Sequence, residues 1–125
     1  MEDCRLERMF VLREKFMRDL ADKMPNVLQT WPVDIREKTS QQVVRDTMLK
    51  GVEEMFEAMS HLKNWKPHRT TEVFDFDGSA FLEEYVDAFN YFLSGLVMLG
   101  FTEDDLYEAY VKKDKIIHNR LATGY

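Results

Sequence analysis

Phe81-Leu82-Glu83-Glu84-Tyr85-Val86-Asp87-Ala88-Phe89-Asn90-Tyr91-Phe92-Leu93 is the stretch that decides the fold. Its apolar side chains cover most of the circumference of a helix, which is the pattern of an element packed on several sides rather than a surface helix. Three acids interrupt it, Glu83, Glu84 and Asp87, and the last two stand three residues apart. At that spacing both project from one face, about one turn from each other. The same device occurs upstream as Glu54-Met55-Phe56-Glu57, set among Met48, Leu49, Val52 and Met59. If the two helices pack together, four negative charges converge in a partly dry space. Such an arrangement costs several kcal/mol unless the charges are neutralised. A hard divalent cation with oxygen ligands, Mg²⁺ above all, neutralises it most simply.

The rest of the chain reads as helices around this pair. Leu6, Met9, Phe10, Phe16, Met17 and Leu20 recur at helical spacing and predict a first helix over about residues 3–24, ended by Pro25. Arg13 falls on that apolar stripe, either snorkelling at its edge or lining a site. Two capping boxes, Asp34-x-x-Glu37 and Thr39-x-x-Gln42, predict a second helix over about 39–63. Its inward residues are read as Val43, Val44, Met48, Val52, Met55, Met59 and Leu62. Thr47, Gly51 and Ala58, small residues beside Glu54, leave room for a close helix or a ligand. Residues 64–78 form a long loop, of a length that is more often functional or a crossover than idle. Ser79 is the expected N-cap of the third helix and Gly100 its stop. Thr102-x-x-Asp105 caps a fourth helix with a basic end: Lys112, Lys113, Lys115, His118 and Arg120. The expected fold is all-α, a four- to five-helix bundle in one domain over residues 1–125.

Composition narrows the function. In 125 residues, seventeen basic against twenty-three acidic side chains give a net charge of −6, which disfavours binding to a nucleic-acid polymer. A single cysteine, Cys4, allows no internal disulfide and fits a reducing cytoplasm. No apolar run approaches the roughly 18–20 residues of a membrane span, and no secretory signal is visible, so neither a membrane partner nor export is expected. His61 and His68 lack a His or Cys partner at ligand spacing, which argues against zinc. For any single glutamate, solvated helix surface is the simpler reading; convergence of two pairs on the most apolar helices favours a metal site. Lys112, Lys113 and Arg120 either complement the dipole of the fourth helix or counter a polyanion held on the metals. Four carboxylates and a nucleoside triphosphate carry about eight negative charges, more than two Mg²⁺ ions offset, so basic side chains are needed as well.

The pattern Glu54-x-x-Glu57, twenty-six intervening residues, then Glu84-x-x-Asp87 resembles the signature of the all-α nucleoside triphosphate pyrophosphatases, which include the MazG-like enzymes and the dimeric dUTPases. Three stretches carry the likeness. The first is Glu53-Glu54-Met55-Phe56-Glu57 with His61-Leu62-Lys63-Asn64-Trp65-Lys66-Pro67-His68-Arg69. The second is Leu82 to Phe92, and the third is Tyr110-Val111-Lys112-Lys113 with Arg120 and Gly124-Tyr125. Within the group the chain looks most like the short dUTPase-like proteins of bacteria and phages.

The resemblance implies hydrolysis of a deoxynucleoside triphosphate, dUTP by family default, to the monophosphate and pyrophosphate. It implies Glu54, Glu57, Glu84 and Asp87 as ligands of two or more Mg²⁺ ions, with Mn²⁺ as a substitute. Glu54 and Glu57 are the catalytic candidates, Glu57 the one favoured to take a proton from the attacking water. Lys112, Lys113 and Arg120 match the phosphate-binding end, and Arg13, Trp65, Asn90 and Asp114 fall to the nucleoside pocket. A homo-oligomer, dimer or tetramer, in the cytoplasm of a bacterial or phage-infected cell is also implied. Related dUTPase-like chains usually carry Gln and, four residues on, Asp in the first helix, where this chain has Arg13 and Met17. They usually read Lys-Asn-x-x-Asn in the last helix, where this chain reads Lys113-Asp114-Lys115-Ile116-Ile117. A pocket that loses several polar groups together changes its base preference, which makes dGTP or dCTP alternatives; Arg13 would suit the O6 and N7 edge of guanine. The rival from another class is a non-catalytic helical interaction protein.

Overall fold

A computed structural model describes residues 4–73 and 75–124. Among them are four helices and no strand: α1 (Arg5–Lys23), α2 (Lys38–Met59), α3 (Gly78–Met98) and α4 (Glu103–Thr123). The fold is all-α, as the sequence predicts. The helices fall into two compact units, residues 4–32 with 96–124, and residues 33–95.

In the first unit α1 touches α4. Phe10, Met17 and Ala21, at i, i+7 and i+11, form the buried stripe of α1. The helix closes with the Met24 N–H donating to the Leu20 carbonyl, and Gln29 Nε2 donates to the carbonyls of Met24 and Val27 (3.0 and 2.9 Å), satisfying groups that Pro25 prevents the helix from reaching. The Gly100 stop is a Schellman motif. Gly100 has φ +85°, its N–H donates to Val97 O, and Phe101 N–H donates to Leu96 O, both at 3.0 Å. The Thr102 capping box forms as its sequence predicts: Thr102 Oγ1 accepts from Asp105 N–H, and Asp105 Oδ2 accepts from Thr102 N–H.

The second unit is a helix pair with a loop. α2 buries only Val44, Gly51 and Ala58, while α3 buries Ala88, Leu93 and Ser94. Small residues let the two backbones approach. A Cβ at Gly51 would stand 3.1 Å from the Ala88 carbonyl oxygen, and one at Gly95 would stand 3.1 Å from Met48 Cγ. Contacts of residue 48 with 95 and of residue 51 with 88 and 92 fix an antiparallel pair in register.

Several local expectations are corrected. The Thr39 box does not form: α2 begins earlier, at Lys38, with Glu37 as an N-cap lacking a side-chain bond. Asp34 does not cap either, because its carboxylate takes the backbone N–H and the guanidinium of its neighbour Arg36 (3.1–3.2 Å). At α3 the cap is Asp77, whose Oδ1 accepts from Ala80 N–H at 3.0 Å; Ser79 already lies inside the helix. α2 also stops at Met59, four residues before its predicted end. The apolar side read as inward is largely open in the single chain, with Met48, Val52, Met59 and Leu62 all exposed.

Candidate active site

Glu54 and Glu57 leave α2 about one turn apart, and the antiparallel register sets them against the first half of α3, where Glu84 and Asp87 leave theirs. Electrostatics shows the convergence. The half-buried Glu54 holds its proton more tightly than an ordinary glutamate. Desolvation is the largest cause, followed by the hydrogen bond and charge of Glu57, then the charges of Asp87 and Glu84. The charges of Glu57, Asp87 and Glu84 thus all bear on Glu54 across the α2–α3 seam. They are not drawn into a closed cage: among the described residues no three His, Cys, Asp or Glu side chains stand together as a ready-made metal site.

A histidine weighed from the sequence only as a zinc ligand reaches this seam. His61, in the turn after α2, places Nε2 2.7 Å from Glu84 Oε2. Its ring stands edge-on to Phe81 (centroids 6.5 Å, 85°), and Phe81 in turn packs against Phe76 and Tyr85 (5.6 and 6.0 Å). The pairing spans twenty-three positions, and no local motif announces it. The only hint in the sequence is a histidine four residues beyond Glu57.

The chemistry of the donor set fits a hard divalent cation. All four groups are carboxylates, and repulsion among them is what a cation would relieve. Glu54, Glu57, Glu84 and Asp87 are the residues that would hold it.

The other candidates are distributed over both units. In the second, Trp65 is 68% exposed and lines an apolar groove of about 460 Å³ with Phe56, Met59, Ser60 and Leu62. Lys66 Nζ sits 5.7 Å from the Trp65 ring centroid. Asn90, half-buried, follows Asp87 by three residues on the same side of α3. In the first unit, Lys112, Lys113 and Arg120 are exposed on α4. Asp114 pairs with His118 one turn on, Nδ1 to Oδ2 3.3 Å, and the Arg13 guanidinium lies over the Phe16 ring at 4.7 Å. The Tyr125 end of the predicted phosphate-binding stretch lies outside the described residues.

Four helices with paired acids on two closely packed members define an all-α protein with a polyacidic seam. A family model described as dUTPase matches residues 33–125, and the chain belongs to that family, in its all-α form. The matched span takes in α2, α3 and α4, with all four carboxylates, and leaves α1 outside. No curated protein and no solved structure matches the chain significantly. Membership assigns a nucleotide pyrophosphatase-like function in its general outline. No helix is long and apolar enough to cross a membrane among the described residues.

Proposed function

We propose that the chain is a Mg²⁺-dependent pyrophosphohydrolase of deoxynucleoside triphosphates, with dUTP the substrate by family default and dGTP or dCTP the alternatives. The observation that carries this reading is the placement of Glu54 and Glu57 on α2 against Glu84 and Asp87 on the closely packed α3, where the other three charges strengthen the hold of Glu54 on its proton. A helix pair that serves only as scaffold gains nothing from holding four like charges together, and the arrangement is explained by a cation and a phosphate chain that complete it. When bound, the divalent cation supplies positive charge at the α-phosphate and makes an attacking water more acidic.

The chain's own groups supply the rest. Glu54 is the carboxylate already biased toward holding a proton, and Glu57, its exposed partner one turn on, remains open to a water. Either can accept the proton of the attacking water at a carboxylate oxygen. Lys112, Lys113 and Arg120 are the candidates for the β- and γ-phosphates, where point charges and a guanidinium fork suit phosphate oxygens. Arg13 is the reason to keep guanine in the reading, and the altered amide positions keep cytosine there. Arg13 lies on α1, the helix outside the family match. Self-association belongs to the same reading, because Phe56, Trp65 and Leu82 are each at least 60% exposed in the single chain.

Pyrophosphate release measured over all deoxynucleoside and nucleoside triphosphates, with and without Mg²⁺, tests the proposal. Metal-dependent release of pyrophosphate and a monophosphate from at least one deoxynucleotide is the expected result. No release from any of them, together with a melting temperature indifferent to Mg²⁺ and Mn²⁺, would replace it with the helical interaction protein.

A further inference from the structure

Among the described residues, Glu84 is the member of the acidic set whose carboxylate meets a ring nitrogen from outside the set. A carboxylate oxygen accepts, so the hydrogen in the 2.7 Å contact is donated by His61 Nε2 to Glu84 Oε2. The two side chains are 27% and 33% exposed, so water competes less for this bond than for the surface pair Lys15–Asp19, where both partners are more than half exposed. The imidazole is itself fixed. Its backbone N–H donates to the carbonyl of the fully buried Ala58 (3.2 Å), and its ring meets the edge-on face of Phe81, which Phe76 and Tyr85 brace. Glu84 therefore has one oxygen tied to a rigid donor while the charge of Glu54 repels the group as a whole. Without the tie, that repulsion favours rotamers that swing Glu84 out of the seam and into water.

From this geometry we propose that His61 is a positioning residue: it holds the Glu84 carboxylate in the seam, pinning Oε2 and leaving Oε1 for a divalent cation. The inference rests on the proposed cation-dependent function and adds to it a group that the four-carboxylate pattern does not contain. Donors of this kind, bound to ligands rather than to the ion, typically change metal affinity by about 10- to 100-fold when removed.

Mn²⁺ binding to the nucleotide-free full chain, followed by the loss of the free-ion paramagnetic resonance signal, provides a readout independent of turnover. Two replacements separate hydrogen bonding from bulk. His61→Gln keeps a side-chain N–H; His61→Met keeps comparable volume without a donor. Circular dichroism at the assay temperature establishes that both are folded. The expected result is Mn²⁺ affinity about tenfold weaker in His61→Met and close to wild type in His61→Gln. Turnover in His61→Met should recover as Mg²⁺ is raised, with KM for the nucleotide little changed. Equal affinities for the two variants would overturn the role of the hydrogen bond, and tighter binding in His61→Met would show that His61 competes with the ion. A wild-type chain that binds no Mn²⁺ would instead remove the cation reading itself, and this inference with it.

Discussion

Gly51 of α2 faces Phe92 of α3 so closely that a Cβ on residue 51 would lie 2.6 Å from Phe92 Cε1. The Ala88 carbonyl oxygen, 3.1 Å from the same point, blocks escape toward the backbone of α3. Gly51→Ala gains about 1 kcal/mol of helix propensity but must displace the Phe92 ring and open the seam, at about 1–3 kcal/mol. A net loss of about 1 kcal/mol is expected, and Gly51→Val should lose more because a β-branched side chain adds bulk without the propensity gain. Urea denaturation measures both. A variant as stable as the wild type would mean that the helices meet less tightly at this point.

Glu54→Gln should stabilise the metal-free protein at neutral pH. Because the folded state raises the proton affinity of Glu54, the folded protein binds this proton more tightly than the unfolded chain. Its contribution is fully present below the ordinary glutamate range and is lost as pH rises through the raised value. The amide carries no charge and escapes that loss. Melting curves without metal should therefore separate above the titration of Glu54 and converge in acid, with Glu54→Gln the higher of the two. Excess Mg²⁺ should reverse the order.

Glu57→Gln and Asp87→Asn should each reduce Mg²⁺-dependent pyrophosphate release by on the order of a hundredfold or more, with helical content unchanged. Both side chains are exposed, so neither replacement removes packing. Normal activity in either variant would remove that residue from the site.

Arg13→Gln replaces the guanidinium with a neutral amide. If Arg13 reads the base, relative kcat/KM should shift from dGTP toward dUTP, by about 1–3 kcal/mol for a lost bidentate contact. An unchanged ratio would show that Arg13 does not read the base.

Light scattering at micromolar concentration should find an oligomer. α2 leaves Met48, Leu49 and Val52 exposed beside Ile35, along a groove of about 520 Å³ that Phe92 also lines. Truncating that row, for example Leu49→Ser, should weaken association. A fully active monomer would refute it.

The parts of the structure legible in the sequence are those encoded locally. Thr102 and Asp105 sit three apart and cap each other, and Gly100 supplies the positive φ that ends α3. The i, i+3 spacing of the acids put each pair on one face before any packing was known. Ser79 and Thr39 misled because both sit beside a residue that starts the helix first: Asp77 caps α3, and α2 begins before Thr39. The His61–Glu84 bond was not legible because it depends on the register of α2 against α3, which no short window contains. The inward reading of Met48 and Val52 followed apolar periodicity, which marks a face to be covered without saying what covers it.

The chain's two tryptophans fall one to each compact unit, and their surroundings differ sharply. Trp31 is half-buried, with the Arg18 guanidinium 5.3 Å from its ring centroid and an indole N–H that is shielded from solvent. Trp65 is largely in water. Fluorescence from the native protein should thus combine a blue-shifted, poorly quenched emitter with a red-shifted, iodide-accessible one. Replacing Trp65 with Phe isolates the first, and replacing Trp31 isolates the second. The unlabelled protein therefore carries its own pair of optical reporters, able to follow the melting of α1 with α4 separately from that of the carboxylate-bearing hairpin.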